Sequence, residues 1–237
     1  MTFSPSADRI QSLFNRIAPM YDRFNDRLSA GAHRVWKQMT VKWSGAEPGD
    51  TCLDVCCGSG DLALRLAEAV TPNGRVVGVD FSSAQLAVAR QRSGCCYPPR
   101  TIDWVEGDAL NLPFDDCAFD AVTMGYGLRN LMDISQGLQE LHRVLKPGKS
   151  VAILDMHRPP SAVMRSFQQW YLDTIVVPTA EEFGLTEEYA YIGPSLDRFP
   201  VSSEQVHLAR VAGFGRATHY PIAGGMMGVL VATKDRS

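Results

Sequence analysis

The sequence predicts an α/β fold, a parallel sheet covered by helices on both faces. Three observations predict it. Between residues 51 and 155, apolar runs of strand length alternate with amphipathic runs of helix length. The first apolar run leads into a glycine-rich turn, Cys56-Cys57-Gly58-Ser59-Gly60. The composition, 45% hydrophobic and 21% charged over 237 residues, is that of a globular domain and excludes bulk disorder.

The elements follow in order. Residues 1–45 read as an N-terminal helical cap, with Ile10, Leu13, Phe14 and Ile17 on one helical face, a break at Pro19, and a second helix over Ala32 to Trp43. Residues 46–237 read as the main domain. Glu47-Pro48-Gly49-Asp50 is a turn, Thr51–Cys56 a buried strand and Asp61–Val70 a helix. Arg75–Asp80 is the second strand, after which Ser82 caps a helix to about Arg92. Ile102–Glu106 and Phe119–Met124 are strands three and four. Asp133 caps a helix ending near Val144, Lys146-Pro147-Gly148 stops it, and Val151–Asp155 is strand five. Residues 156–200 interrupt the rhythm with an insertion rich in aromatics, Phe167, Trp170, Tyr171, Phe183, Tyr189, Tyr191 and Phe199, where open α/β sheets bind ligands. It is either a packed cap or a cover for a substrate. Ser202 with Gln205 forms a capping box for a helix to Ala212. Thr218–Ile222 and Gly228–Thr233 close the fold as an antiparallel pair.

Charge and cysteine content narrow the function. A net charge of −3 argues against nucleic acid as a partner, because phosphate binding wants a basic excess. The six cysteines form no C-x-x-C pair, so no metal site is expected, and reduced thiols in the cytoplasm are the simplest reading. The N-terminus has neither the n-region nor the h-region of a signal peptide and no transit segment. Residues 217–233 are uncharged, but Pro221, Gly224, Gly225 and Gly228 fit two strands better than a membrane span.

Asp54, Gly58, Ser59 and Gly60 form a ligand-binding turn. Gly58-x-Gly60-x-x-Ala63 matches the dinucleotide fingerprint, and Asp80 at the end of strand two can accept from both hydroxyls of a ribose. That pattern fits NAD and S-adenosylmethionine alike, and electrostatics separates them. Asp54, Asp61, Asp80 and Asp108 all fall on the ligand side, with no Lys or Arg in the loop. One carboxylate about 5 Å from a phosphate charge costs about 3 kcal/mol at an effective dielectric near 20. S-adenosylmethionine is a net cation and suits these acids. Asp108-Ala109 then meets the adenine or is a plain turn.

The residues also resemble a known family, the C-methyltransferases of ubiquinone and menaquinone biosynthesis, within the seven-stranded, Rossmann-like class I S-adenosylmethionine-dependent methyltransferases. The resemblance rests on Phe14-Asn15-Arg16-Ile17-Ala18-Pro19-Met20-Tyr21-Asp22, on Gly31-Ala32-His33-Arg34-Val35-Trp36-Lys37, on Gly125-Tyr126-Gly127-Leu128-Arg129-Asn130 and on Arg143-Val144-Leu145-Lys146-Pro147-Gly148. Cys56-Cys57 and the stretches Phe167–Tyr171 and Ser195–Pro200 are similar to the cyanobacterial and plastid branch, which methylates a phytyl-naphthoquinone. The resemblance implies that Ser59, Asp80, Asp108, Ala109 and Gly125 contact the methyl donor, and that Tyr21, Arg129 and Asn130 lie near the substrate ring. The substrate it implies dissolves in bilayers. The Ile10, Leu13, Phe14 and Ile17 face, flanked by Arg9 and Arg16, then either packs on the domain or makes peripheral contact with a thylakoid or inner membrane.

Methylation of a ring carbon needs the reduced quinol, ionised at a hydroxyl; with a phenolic pKa near 10, about one molecule in a thousand is anionic at pH 7. Arg129 cannot serve as the base, so its role is to stabilise the oxyanion or to orient a water, or else to make a structural ion pair. His157 and Asp155 end strand five on the ligand side, and His157 is the candidate base, with His33 and His219 also available. The alternatives are methylation of another lipid quinol such as demethylmenaquinol, a nicotinamide-dependent oxidoreductase, and a silent partner in a biosynthetic complex.

Overall fold

The computed structural model describes residues 28–29, 31–95, 102–182 and 191–236. Tyr21, the Ile10–Ile17 face, Phe183 and Tyr189 therefore lie outside the described residues. Strands β1 (Thr51–Val55), β2 (Arg75–Asp80), β3 (Ile102–Glu106), β4 (Phe119–Gly125), β5 (Leu145–Met156), β6 (Phe214–Ile222) and β7 (Met227–Lys234) form one sheet. Their order is β3-β2-β1-β4-β5-β7-β6. The first five run parallel, and β7 is antiparallel to both β5 and β6.

Both faces of the sheet are covered, so its central strands are apolar throughout rather than alternating. Leu53, Val77, Val122 and Ile153 point to one face, under α4 (Ile134–Val144) and α8 (Ser202–Val211). Cys52, Val76 and Ala121 point to the other, packed on Leu62 and Leu66 of α2 (Asp61–Ala69) and Val41 of α1 (Ala32–Ser44). Each fully buried leucine or valine contributes about 1.5–3 kcal/mol. Helix α3 (Ser83–Gly94) begins at Ser82, whose hydroxyl accepts from the Gln85 amide, and α4 begins at Asp133, which accepts from the Gln136 amide.

Two sequence expectations need correction. No loop separates α4 from strand five: β5 starts at Leu145, paired with Phe119, and its register slips before Ala121. The helix end needs no turn of its own, because Lys234 Nζ donates to the carbonyls of His142 and Leu145, 2.9 Å each. Ser202 and Gln205 form no capping box. Ser202 is already inside α8, whose N-cap is Val201 with no side-chain bond, and Gln205 turns into the core and donates to the Pro200 carbonyl (2.7 Å).

The insertion has a small core of its own. It runs through α5 (Ala162–Tyr171), a π-helical turn (Leu172–Val176), α6 (Val177–Glu181) and α7 (Ile192–Arg198), and buries Leu172, Val176, Ala180 and Leu196 together. The Tyr171 hydroxyl donates to the Leu28 carbonyl. Phe167 and Trp170 are exposed, 46% and 53%. Among the described residues no helix is long and apolar enough to cross a membrane, and no three His, Cys, Asp or Glu side chains are grouped as a metal site requires.

Candidate active site

The order of strands reverses between β1 and β4, and a cavity of about 230 Å³ opens at their C-terminal ends. Its floor is the turn after β1. Cys56, Gly58 and Gly60 all have left-handed backbones (φ 54°, 52° and 87°), which swing the chain into α2. Gly60 also has no room for a side chain: a Cβ there would lie 2.5 Å from Cη2 of Trp104.

Asp80 ends β2 and ties two turns together. Its Oδ2 accepts from the Gly58 amide (2.8 Å) and its Oδ1 from the Ser82 amide (2.9 Å). Burial pushes this carboxyl up, opposed by those amides. Asp54 is deeper. Its Oδ1 accepts from the Thr123 hydroxyl (2.7 Å), while Oδ2 makes no hydrogen bond of normal geometry among the described residues. Burial raises it to about 7 against the pull of Thr123. Asp108 and Ala109 line the outer wall, where Asp108 Oδ1 accepts from the Leu110 amide (2.9 Å).

The opposite wall is the turn after β4. Gly125 and Tyr126 line it, and the Tyr126 amide donates to the Leu154 carbonyl (2.7 Å). Tyr126 adopts a left-handed backbone, φ 60°, unusual for a residue with a side chain. Asn130 Nδ2 donates to the Tyr126 carbonyl (2.9 Å), which leaves Oδ1 as a buried acceptor without a partner among the described residues. Asn130 lines the cavity.

Arg129 and His157 do not line it. The Arg129 guanidinium pairs with Asp155 and also donates to the Tyr126 carbonyl (3.1 Å), and its own amide donates to Asp155 Oδ2 (3.1 Å). His157 is buried, with Nε2 3.1 Å from His219 Nε2 and Nδ1 3.3 Å from Gln205 Nε2. Burial, then the charges of His219 and Arg129, bring His157 down to about 3, so it is neutral at pH 7. The thiols of Cys56 and Cys57 are pushed well up by burial and neighbouring acids and stay protonated.

Sequence reasoning missed the basic residues that reach the loop from elsewhere. Lys37 of α1 donates to Asp61 Oδ2, and Arg92 of α3 donates to Asp61 Oδ1 (3.2 Å) and to the Ser59 carbonyl and hydroxyl (3.0 Å each). Burial alone would raise Asp61; Lys37, Arg92 and Arg65 together bring it down to about 2. The loop is therefore less purely acidic than its own residues suggest, and charge alone does not exclude a phosphate there. The signal for Lys37 lay in its spacing from His33. Helix α1 buries His33, Lys37, Thr40, Val41 and Ser44 on one stripe and leaves Val35 58% exposed.

Comparison with known proteins decides between the ligands. The sequence profile described as the ubiE/COQ5 methyltransferase family matches residues 3–234. The chain belongs to the ubiE/COQ5 methyltransferase family. A protein of Nostoc punctiforme named 2-phytyl-1,4-naphtoquinone methyltransferase is 64% identical to it, covering 96% of this chain and 99% of its own. The Arabidopsis thaliana protein named 2-phytyl-1,4-beta-naphthoquinone methyltransferase, chloroplastic, is 53% identical over 94% of this chain and 86% of its own. The fold is shared with solved S-adenosylmethionine-dependent methyltransferases. A putative one from Methanococcus maripaludis covers 100% of this chain and 98% of its own at TM-score 0.66 and 19% identity. One from Thermotoga maritima, described as a possible histamine N-methyltransferase, covers 95% and 99% at TM-score 0.65 and 20% identity.

This ubiE/COQ5 methyltransferase uses S-adenosylmethionine, and the cavity suits that donor. Asp54 Oδ2 and Asn130 Oδ1 are buried acceptors without a partner among the described residues. Gly58 lines the cavity with no side chain to hold a ligand off its backbone, whereas Gly60, expected at the donor, does not line it and faces Trp104 instead. A ligand rich in N–H groups and positive charge suits the Asp54 acceptor.

Proposed function

We propose that the chain methylates a ring carbon of reduced 2-phytyl-1,4-naphthoquinone, the step that yields phylloquinol. The observation that carries this reading is identity of 53–64% with proteins of that printed activity over nearly the whole chain. When bound, S-adenosylmethionine supplies an electrophilic methyl group on a sulfonium, a good leaving group that needs no metal. The protein has to supply alignment and a richer electron density on the acceptor ring. Asn130 is the substrate-facing group in this reading. Its Nδ2 is fixed on the Tyr126 carbonyl, so Oδ1 is free to accept a hydrogen bond from the quinol O–H and orient it, while the proton itself leaves to water, because an amide oxygen is no base. Arg129 acts one step back and holds the Tyr126–Asn130 turn through Asp155. His157 follows the end of β5 and packs against His219 and Gln205, away from the cavity lining. Tyr21, outside the described residues, keeps the place beside the ring that the resemblance implies.

A phytylated ring dissolves in bilayers, so the reading includes peripheral contact with a membrane. It is supported by the apolar tail of the substrate, and flotation with vesicles tests it. The test of the reaction is labelled methyl donor offered with reduced and oxidised naphthoquinones and with benzoquinones. Label is expected on the reduced phytyl-naphthoquinone. Equal labelling of the oxidised form with no reductant present would defeat the quinol mechanism, and label on benzoquinols alone would defeat the substrate assignment.

A further inference from the structure

The charges that line the cavity are unevenly divided. Asp54, Asp61, Asp80 and Asp108 are there, and among the described residues Lys37 is the one basic side chain. Lys37 is 3% exposed. Its ammonium donates to Asp61 and stands 5.9 Å from the centre of the Tyr126 ring. Asp61 and Tyr126 are themselves lining residues, so the ammonium sits in the cavity wall between the glycine turn and the turn after β4. An ammonium has three donors. Asp61 takes one, and no other hydrogen bond is made among the described residues.

S-adenosylmethionine carries two cationic groups and one anionic group. The acids of the wall match the cations and the ribose. The α-carboxylate needs a cation, and a buried carboxylate without one is costly. Arg129 is committed to Asp155 and is not in the wall, and Arg92 braces Ser59 and Asp61 from behind. We propose that Lys37 recognises the α-carboxylate of the methyl donor. Helix α1 then completes the donor site from outside the strand–helix framework, with Asp61 holding the ammonium in place.

The carboxylate takes no part in methyl transfer and survives in the product, S-adenosylhomocysteine. Lys37 therefore binds donor, transition state and product alike, and its loss should raise the donor KM while kcat at saturating donor changes little. An oxyanion stabiliser for the quinol would behave in the opposite way.

The experiment is calorimetry with S-adenosylmethionine, S-adenosylhomocysteine and decarboxylated S-adenosylmethionine on the whole chain, for the wild type, Lys37→Met and Lys37→Arg. The wild type should prefer the two carboxylated ligands. Lys37→Met should weaken both roughly tenfold to a hundredfold, the scale of one charge-assisted hydrogen bond, and leave the decarboxylated ligand within about twofold. Lys37→Arg should recover most of the loss. Equal weakening of all three ligands, or a fall in kcat at unchanged donor affinity, would overturn the proposal. If Lys37→Met does not fold, the wild type still decides: equal affinity for carboxylated and decarboxylated donor defeats it. A wild type that binds none of the three defeats the donor assignment itself, a distinct result.

Discussion

Arg129 shows how a residue in a functional motif can act without touching a ligand. Its side chain is 10% exposed and that of Asp155 is 2% exposed, and the pair locks the turn that presents Asn130. Removing the cation strands a buried carboxylate, at a cost of about 3–5 kcal/mol. Arg129→Met should therefore lower the melting temperature and the turnover together, and Arg129→Lys should recover part of each. Differential scanning calorimetry beside the methylation assay checks this, and a hundredfold loss of rate at unchanged melting temperature would return Arg129 to a direct role on the quinol. At this scale the sequence was legible where a side chain serves its own turn, as at Ser82 and Asp133. It was not legible where long-range partners decide. Asp155 lies 26 residues from Arg129, and Lys37 lies 24 from Asp61. Gln205, with its spacing from Ser202, looked like a helix cap because local pattern cannot show that Pro200 and His157 compete for its amide.

Among the elements, the strands were the easiest to read, because burial on both faces leaves nearly unbroken apolar runs. Helix α1 was legible in its limits but not in its buried face, since periodicity counts apolar residues and this helix turns polar ones inward. The coupling between strand and turn was hidden altogether. Gly78 in β2 faces Trp104 in β3, and a Cβ on Gly78 would lie 2.5 Å from Cζ3 of the indole. The same ring covers Gly60, so one tryptophan is wedged between a strand and the ligand-binding turn, with Nε1 3.3 Å from the Ser93 hydroxyl. Gly78→Ala should cost about 1–3 kcal/mol by overpacking. It should also weaken donor binding several-fold, although Gly78 does not line the cavity. Adding Trp104→Leu should restore part of the affinity. Denaturant unfolding and calorimetry measure the two effects, and normal donor affinity in Gly78→Ala would show that the indole does not transmit strain to the turn.

Stability of the whole molecule should carry the imprint of its buried histidines. His157 and His219 meet edge to face, ring centres 4.5 Å apart, where β5 leads into the insertion and β6 passes alongside. Burial lowers both. Unfolded histidine takes up a proton near pH 6.5, whereas folded His157 stays neutral down to about 3. As pH falls through that interval only the unfolded chain gains the proton, so the stability contributed by neutral His157 is full above about 6.5 and is lost progressively below it. Asp54, raised to about 7, runs the other way over part of the same range, so the difference between two proteins is the useful quantity. The stability advantage of the wild type over His157→Gln should shrink by about 1.4 kcal/mol for each pH unit below 6.5. Urea titrations at pH 7.5, 6 and 5 measure it, and a gap constant with pH would mean that His157 is protonated in the folded chain.

The place of β7 bears on how the molecule is made. It is the last strand to be synthesised, yet it lies inside the sheet, between β5 and β6. From the moment β5 leaves the ribosome, one side of it presents bare amides and carbonyls, and the strand that belongs there is some seventy residues away from delivery. The parallel half can assemble in the order of translation, but β6 has nothing to pair with until β7 arrives. The nascent chain thus carries an open strand edge, of the kind that invites pairing with a neighbour, over the whole stretch between Met156 and Met227. Helix α8, which packs on β6 and α4, is made in that interval and is placed to shield the apolar face beside the gap while the edge itself waits for its final strand.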